Sequence, residues 1–172
     1  MRHEKVIYEN DKGQRIEIAY SFPYFLQSIN GTDGTNANIT KVKGVGQDGT
    51  TITDVNLSDR ELQIVGAIKG NSKGEIARYR AKLLQVFNPK TQGWLQYEYG
   101  DIKRRIRCQV ENAPVFSKKN KSYKQQEFLV NLICPNPFWQ DIVETKEEVA
   151  IWRPAFEFPL EIVEEGIEMG YR

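Results

Sequence analysis

The chain has 172 residues, of which 40% are hydrophobic and 11% aromatic, including three Trp, eight Tyr and eight Phe. This length predicts one domain, or one with a short extension, and the aromatic content argues against a disordered chain. The 24 Lys and Arg residues nearly balance the 23 Asp and Glu residues, and the net charge of +1 disfavours a nucleic-acid binder that relies on bulk electrostatics.

The first residues are polar and lack the apolar core of a signal peptide. No stretch approaches the roughly 20 apolar residues that a membrane helix needs. We therefore expect a soluble protein that is made in a cytoplasm and has no membrane partner.

Two strands and an aromatic segment open the predicted fold. Residues 6–8 and 16–19 flank Asn10-Asp11-Lys12-Gly13, whose residue types favour a hairpin turn. The aromatic segment, residues 21–26, either fills the core or forms an apolar patch for self-assembly, since large apolar groups are costly to leave in water. Gly31 and Gly34 directly after it suggest a mobile arm or loop. The candidate subunit contacts in this segment are Phe22, Tyr24, Phe25 and Leu26.

Residues 39–45 and 50–55 are predicted to form a β-branched strand pair around a glycine turn. The turn, residues 44–49, matches the GxGxxG pattern of dinucleotide-binding folds. That pattern binds a pyrophosphate only where a helix begins behind the glycines, whereas these glycines lead into a strand. We interpret them as turn residues that supply positive φ, and we expect no cofactor.

One segment changes to a helical period. Ser72 and Glu75 are predicted to form a capping box, in which each side chain accepts a hydrogen bond from the other residue's backbone N–H. Apolar residues then recur at helical spacing until Asn88-Pro89 ends the helix. The sequence therefore predicts one amphipathic helix of about four turns. Its apolar positions are Ile76, Tyr79, Leu83, Leu84 and Phe87.

Alternating patterns predict further strands on both sides of the helix. The only two cysteines, Cys108 and Cys134, hold inward positions, which favours two buried reduced thiols over a disulfide. A metal site is disfavoured because the only histidine, His3, lies near the N-terminus. In each of these predicted strands, alternate residues share one face. They are Leu62, Ile64, Gly66 and Ile68, then Leu95, Tyr97 and Tyr99, then Ile106, Cys108 and Val110, and finally Phe128, Val130, Leu132 and Cys134.

A basic loop precedes the last of these strands. Its lysines could contact phosphates, but Tyr123 is the only aromatic residue among them, so a stacking platform for nucleic acid is missing. We interpret the loop as a solvated hairpin connection and keep contact with an acidic partner surface as the alternative. The lysines are Lys118, Lys119, Lys121 and Lys124.

The last alternating strand ends at a proline-rich closure. Pro135 and Pro137 must stop the strand, because proline cannot donate to a ladder and restrains the residue before it. Phe138 and Trp139 then form a large apolar anchor, and the four residues close a predicted domain of residues 1–140. Residues 141–172 are predicted as a connector and the first strand of a truncated or short second domain. Because a lone strand is unstable, we expect it to pair with the main domain, with a neighbouring subunit or with sequence absent from this chain.

The sequence offers little for catalysis, and we expect no enzyme. The single His3 excludes most relays that need an imidazole, and no acidic pair is singled out for a two-carboxylate glycosidase. A carbohydrate-binding β-sandwich is the alternative function, with Trp94, Tyr97 or Tyr99 as the sugar-stacking platform. The fold class is mainly β and sandwich-like, with one amphipathic helix packed on it and an extended β-hairpin or arm.

Taken in order, these strings resemble the N-terminal half of the distal tail proteins of long-tailed phages and prophages of Gram-positive bacteria. The Pro-Asn-Pro-Phe-Trp closure after an alternating strand is the most specific of them. Phe158-Pro159-Leu160 is similar to the entry to the family's second β-rich domain. The other matching strings are Phe22-Pro23-Tyr24, Gln47-Asp48-Gly49, Asp59-Arg60-Glu61-Leu62 with Gly66, Arg80 with Leu83, Leu84 and Phe87-Asn88-Pro89, and Arg105 with Arg107-Cys108.

The resemblance implies an architectural role in the virion, after assembly in the bacterial host's cytoplasm. It implies a β-sandwich with one helix and an arm-like extension, which builds a hexameric ring at the tail tip. One ring face would contact the tail tube protein, and the other the tail-associated protein and, in many phages, receptor-binding proteins. It implies no catalytic residues.

Overall fold

The computed structural model describes residues 4–117 and 124–142, and more than half of these lie in β-strands. One helix, α1 (Lys73–Val86), interrupts the series of strands. The strands are β1 (Glu4–Asn10), β2 (Arg15–Ile18), β3 (Tyr24–Asn30), β4 (Ala37–Val42), β5 (Thr51–Leu57), β6 (Arg60–Lys69), β7 (Gln92–Tyr99), β8 (Ile102–Val110), β9 (Val115–Phe116), β10 (Gln125–Cys134) and β11 (Gln140–Asp141).

Seven strands lie side by side in the order β2-β1-β7-β8-β10-β6-β3, and all their pairings are antiparallel. The short strands β9 and β11 add to β10 and β8. The sheet curls until its outer strands meet: the Ala19 amide donates to the Tyr24 carbonyl at 3.1 Å, and the Leu26 amide to the Ala19 carbonyl at 2.8 Å. We call this curled sheet the barrel. The predicted mainly β, sandwich-like fold is confirmed, and opposite walls of one sheet form its two layers.

The inward side chains of the barrel form one apolar core, as the alternating patterns predicted. Gly66 of β6 leaves room for the Phe128 ring of β10, because a Cβ added at Gly66 would lie 2.5 Å from that ring. Both cysteines are buried free thiols, as predicted. The core strand residues that are at most 2% exposed are Val6, Tyr8, Ile16, Ile18, Leu26, Leu62, Ile64, Ile68, Leu95, Ile106, Cys108, Val110, Phe128, Val130, Leu132 and Cys134.

The helix α1 packs on β1, β2 and β6. Ile76, Leu83 and Val86 are buried on its inner face. Directly after it, the Phe87 ring stacks on Tyr8 with the ring centroids 4.5 Å apart. The predicted amphipathic helix is confirmed. It is neither long enough nor apolar enough to cross a membrane.

Two details of the helix differ from the prediction. Leu84 is 43% exposed, because it lies about 100° around the helix from Leu83, which takes the inward position. At the N-terminus, the Ser72 hydroxyl accepts from the Glu75 amide at 3.2 Å, but the Glu75 carboxylate accepts from the Asn71 amide at 2.9 Å instead of the Ser72 amide.

The strand β11 pairs Gln140 with Arg105 and Asp141 with Arg104, so the sheet continues to residue 141. The remainder of the predicted connector and the strand predicted at residues 156–162 lie outside the described residues. The division at residue 140 therefore stays a prediction.

Candidate assembly surface

The hairpin of β4 and β5 forms a separate two-stranded sheet, which we call the arm. Every residue of both strands is exposed. In its turn, Gly46 and Gly49 adopt φ values of 76° and 83°. The Gln47 side chain accepts from the Gly44 amide at 3.0 Å and donates to the Thr51 hydroxyl at 3.1 Å. The predicted strand pair around a glycine turn is confirmed.

The two faces of the arm differ in polarity in the half nearest the barrel, before the register shift between Thr40 and Lys41. Directly opposed residues share a face of a β-ladder, so the register assigns each pair to one side. The apolar side carries Ile39 opposite Val55 and Ala37 opposite Leu57, and the polar side carries Asn38 opposite Asn56 and Thr40 opposite Asp54. Ile39 and Val55 are 46% and 55% exposed, and no side chain in the described ranges buries them. Such an uncovered apolar face is typical of a surface that binds another chain.

Arg60 lies at the base of the arm and is only 7% exposed. Its guanidinium donates to the carbonyl oxygens of Gly31 and Asp33, which precede the arm, and to the Pro137 carbonyl at 2.9 Å. It also lies 5.9 Å from the centre of the Trp139 ring. Arg60 therefore joins the base of the arm to the segment that follows β10.

Sequence reasoning missed this role, although a signal was present. Arg60 is two residues before Leu62 and four before Ile64, so it continues the inward side of β6. A charged residue at an inward position needs hydrogen-bond partners, because burying an unpaired charge is costly. The alternation could therefore have singled out Arg60.

The aromatic segment divides between core and surface. Tyr24 and Leu26 are 4% and 2% exposed, and burial raises the pKa of Tyr24 to about 12. Phe22 is 53% exposed, and its ring meets the Tyr79 ring edge-on at 5.8 Å. The Phe25 ring is half-buried, with the Lys69 ammonium 4.2 Å from its centre. Phe22 and Phe25 are therefore the members whose rings reach the surface.

The closure after β10 likewise has an inner and an outer part. Trp139 packs on the core, and its ring centroid lies 6.1 Å from that of Tyr97. Phe138 is 63% exposed and Pro135 is also exposed, while Pro137 is half-buried beside Arg60. Trp139 therefore lies against the core and Phe138 at the surface, while the role of the four residues as a domain-closing anchor stays a prediction.

The basic loop is only partly described. Lys124 is exposed, and its carbonyl accepts from the Gly70 amide at 3.0 Å. Lys118, Lys119 and Lys121 lie outside the described residues. Contact of this loop with an acidic partner stays a prediction.

The rings considered for sugar stacking have other neighbours. The guanidinium groups of Arg105 and Arg107 lie 4.9 and 5.5 Å from the centre of the Trp94 ring. Tyr97 stacks on Tyr99 at 6.4 Å, and Tyr99 is 55% exposed. Within residues 4–117 and 124–142, no group of His, Cys, Asp and Glu could hold a metal ion.

Solved structures of phage tail components share this fold. The Dit protein of phage SPP1, described as a paradigm of the hub adsorption apparatus in phages that infect Gram-positive bacteria, has a TM-score of 0.60 and 18% identity, over 79% of this chain and 52% of that chain. Chains of the phage P2 baseplate in its activated conformation, with Ca or with Sr, have TM-scores of 0.59 and 0.58 and 8% identity, over 81% of this chain and 45% of theirs. This chain thus spans about half the length of these proteins.

The sequence comparison gives the family. No curated protein matches the chain. Residues 11–134 match the family described as the phage tail protein RIFT-related domain. This match covers most of the chain and six of the seven main strands of the barrel, all but β1. The chain therefore belongs to the phage tail protein RIFT-related domain family, and its resemblance to the distal tail proteins of siphophages is confirmed.

Proposed function

We propose that this phage tail protein assembles as a hexameric ring at the tail tip, in the virion. The ring joins the tail tube protein to the tail-associated protein and to receptor-binding proteins. The number of subunits and the identity of these partners come from the resemblance to distal tail proteins. The described structure supports the self-assembly step.

The observation that carries the proposal is the uncovered arm. Its two strands bury no residue, so it contributes nothing to the core of its own barrel. A hairpin of this kind is costly to keep in water with Ile39 and Val55 exposed. Contact with a neighbouring subunit would bury this apolar face, and burial of apolar surface drives association.

Strand edges favour the same contact. The outer strands of the barrel meet at Ala19 and Phe25, so the barrel closes its own edges there. In the part of the chain that the structure describes, β4 and β5 pair only with each other, and each keeps one free edge. Free edges bind further strands through backbone hydrogen bonds. The exposed Phe22 ring and the half-buried Phe25 ring offer a second apolar contact on the barrel wall.

The test is the mass of the assembly formed by the wild-type chain and by two charge variants on opposite faces of the arm. Light scattering on a sizing column should give six times the chain mass of 19.9 kDa for the wild type, with rings in negative-stain images. Val55→Lys should give a folded monomer, because it would bury a charge in the subunit contact. Asn56→Lys, one residue away on the polar face, should keep the rings.

Two results would contradict the proposal. A wild-type chain that stays monomeric at every concentration would exclude self-assembly of this chain. Rings of Val55→Lys at wild-type yield would exclude the apolar face of the arm as the contact. Circular dichroism of each variant confirms that its barrel is folded.

A further inference from the structure

The two cysteines lie next to each other in the core. The register pairs Leu132 with Val110 and Ile133 with Gln109, so the next residue of β10, Cys134, comes opposite Cys108 of β8. Both side chains face inward, and they are 0% and 1% exposed. Their thiols lie beside each other, and the Cys108 thiol donates to the Gly93 carbonyl with the sulfur 3.8 Å from the oxygen.

This placement suits a disulfide. Residues directly opposed in antiparallel strands have Cα atoms about 4.5 to 5.5 Å apart. Disulfides span Cα separations of about 4.4 to 6.8 Å. A bond between Cys108 and Cys134 could therefore form while β8 and β10 keep their positions.

Apart from the closure between β2 and β3, the cysteines also lie at the shortest pairing between neighbouring strands of the barrel. The strands β6 and β10 pair along their whole length, whereas β8 and β10 share only the two residue pairs named above. Beyond Cys134 the chain leaves β8 and returns to it only at Gln140. A short seam opens at lower cost than a long one, so we expect local opening of this seam to let a small molecule reach the two thiols.

The two thiols are not equivalent. A hydrogen bond from the Cys108 thiol would stabilise the Cys134 thiolate, and the positive charge of Arg60 also attracts this thiolate. The pKa of Cys134 is therefore lowered. The same contact and burial raise the pKa of Cys108. Because the thiolate is the reactive form, Cys134 is the first nucleophile of the pair.

We propose that Cys108 and Cys134 are a latent disulfide site, which a small peroxide closes in the folded barrel. The Cys134 thiolate attacks one oxygen of hydrogen peroxide, which breaks the O–O bond and gives a sulfenic acid and one water after protonation. The Cys108 sulfur then attacks the sulfenic sulfur, which forms the S–S bond and releases the second water. Two thiols lose two electrons and two protons, and one peroxide is reduced to two waters.

The timing of this reaction rests on the proposed function. Thiols stay reduced in a cytoplasm and oxidise outside it, so the bond would form after the virion leaves its host. The disulfide would then link β8 and β10 across their short seam. The chemistry itself needs only the folded chain, so its test is independent of ring assembly.

The experiment treats the folded wild-type chain with hydrogen peroxide, then denatures it and alkylates the remaining thiols. Intact mass spectrometry should show a monomeric chain that has lost two hydrogens and takes up no alkylating reagent. Reduction with dithiothreitol should restore two alkylation sites and lower the melting temperature to that of the untreated chain. The methionines provide an internal control, since their oxidation reports that peroxide acted.

Single variants test the order of the steps. In Cys108→Ser the sulfenic acid at Cys134 has no partner, so dimedone should label it. Cys134→Ser should be labelled more slowly, because Cys108 is the weaker nucleophile. Two free thiols in the wild-type chain after its methionines have been oxidised would overturn the proposal, and so would disulfides that form only between chains.

Discussion

The guanidinium of Arg60 lies among three backbone carbonyl groups, from Gly31 and Asp33 on one side and Pro137 on the other. These residues are far apart in sequence, and Arg60 holds them at one point. A hydrogen bond from a charged donor contributes about 1.5 to 3 kcal/mol, whereas a carbonyl left buried without a donor is destabilising. Arg60 is therefore a structural link between the arm and the segment after β10, as well as a neighbour of Cys134.

Replacing this guanidinium should destabilise the fold. We expect Arg60→Met to lower the free energy of unfolding by about 2 to 4 kcal/mol, because it removes three hydrogen bonds from a charged donor that is itself only 7% exposed. Urea unfolding measures the change. The control is Arg15→Met on the exposed side of β2, which should change the free energy by about 0.5 kcal/mol or less. Equal effects of the two variants would show that the buried contacts of Arg60 add nothing to stability.

The helix shows what periodicity can and cannot determine about an element. Its existence and its length follow from the recurrence of apolar residues after Ser72. The helical spacing of apolar residues is compatible with either Leu83 or Leu84 on the buried face. Adjacent residues of a helix point about 100° apart, so the two are not equally buried. Contact with the barrel decides between them, and that contact is not present in the local sequence.

This difference predicts unequal effects of the same truncation at adjacent positions. Leu83→Ala should lower the free energy of unfolding by about 2 to 5 kcal/mol, since it leaves a cavity in the core. Leu84→Ala should cost less than about 1 kcal/mol, because much of this side chain is already in water. Thermal or urea unfolding of the two variants measures both values. A larger loss for Leu84→Ala would mean that α1 is rotated relative to the barrel.

The sequence predicted the individual strands well, but it did not predict their order in the sheet. The alternations at Leu62 to Ile68 and at Phe128 to Cys134 predicted both strands and their inward sides. The placement of β10 between β8 and β6 was not predictable. A two-residue alternation shows which side chains of a strand share a face, but it does not show which strand lies beside it. The candidate site was predicted in the same partial way: the turn residues of the arm indicated a hairpin, but its freedom from the barrel depends on contacts far along the chain.

At the scale of the whole molecule, the barrel and the arm are separable. The Ser58 amide donates to the Asn36 carbonyl at 3.0 Å, so the two ends of the arm lie side by side. No residue of β4 or β5 is buried. The barrel core is therefore complete without the arm.

Excising the arm should leave a stable barrel that does not assemble. In this variant an Asn-Gly turn replaces residues 37–57, since a two-residue turn of this type joins adjacent antiparallel strands. We expect a free energy of unfolding within about 1 kcal/mol of the wild-type value, because the loop becomes shorter and no buried group is lost. Urea unfolding and light scattering measure stability and mass. An unfolded product would show that the arm supports the barrel.

The strand order also determines when the growing chain can fold during its synthesis. Apart from the contact of Ala19 with Phe25, β10 is the connection between two half-sheets, β2-β1-β7-β8 and β6-β3, in the described structure. Each half-sheet keeps its apolar side in water until residues 125–134 have emerged from the ribosome. Strand β10 therefore completes the core in a single late step. A nascent chain that stalls before Gln125 carries two open sheets, whose exposed edges favour aggregation.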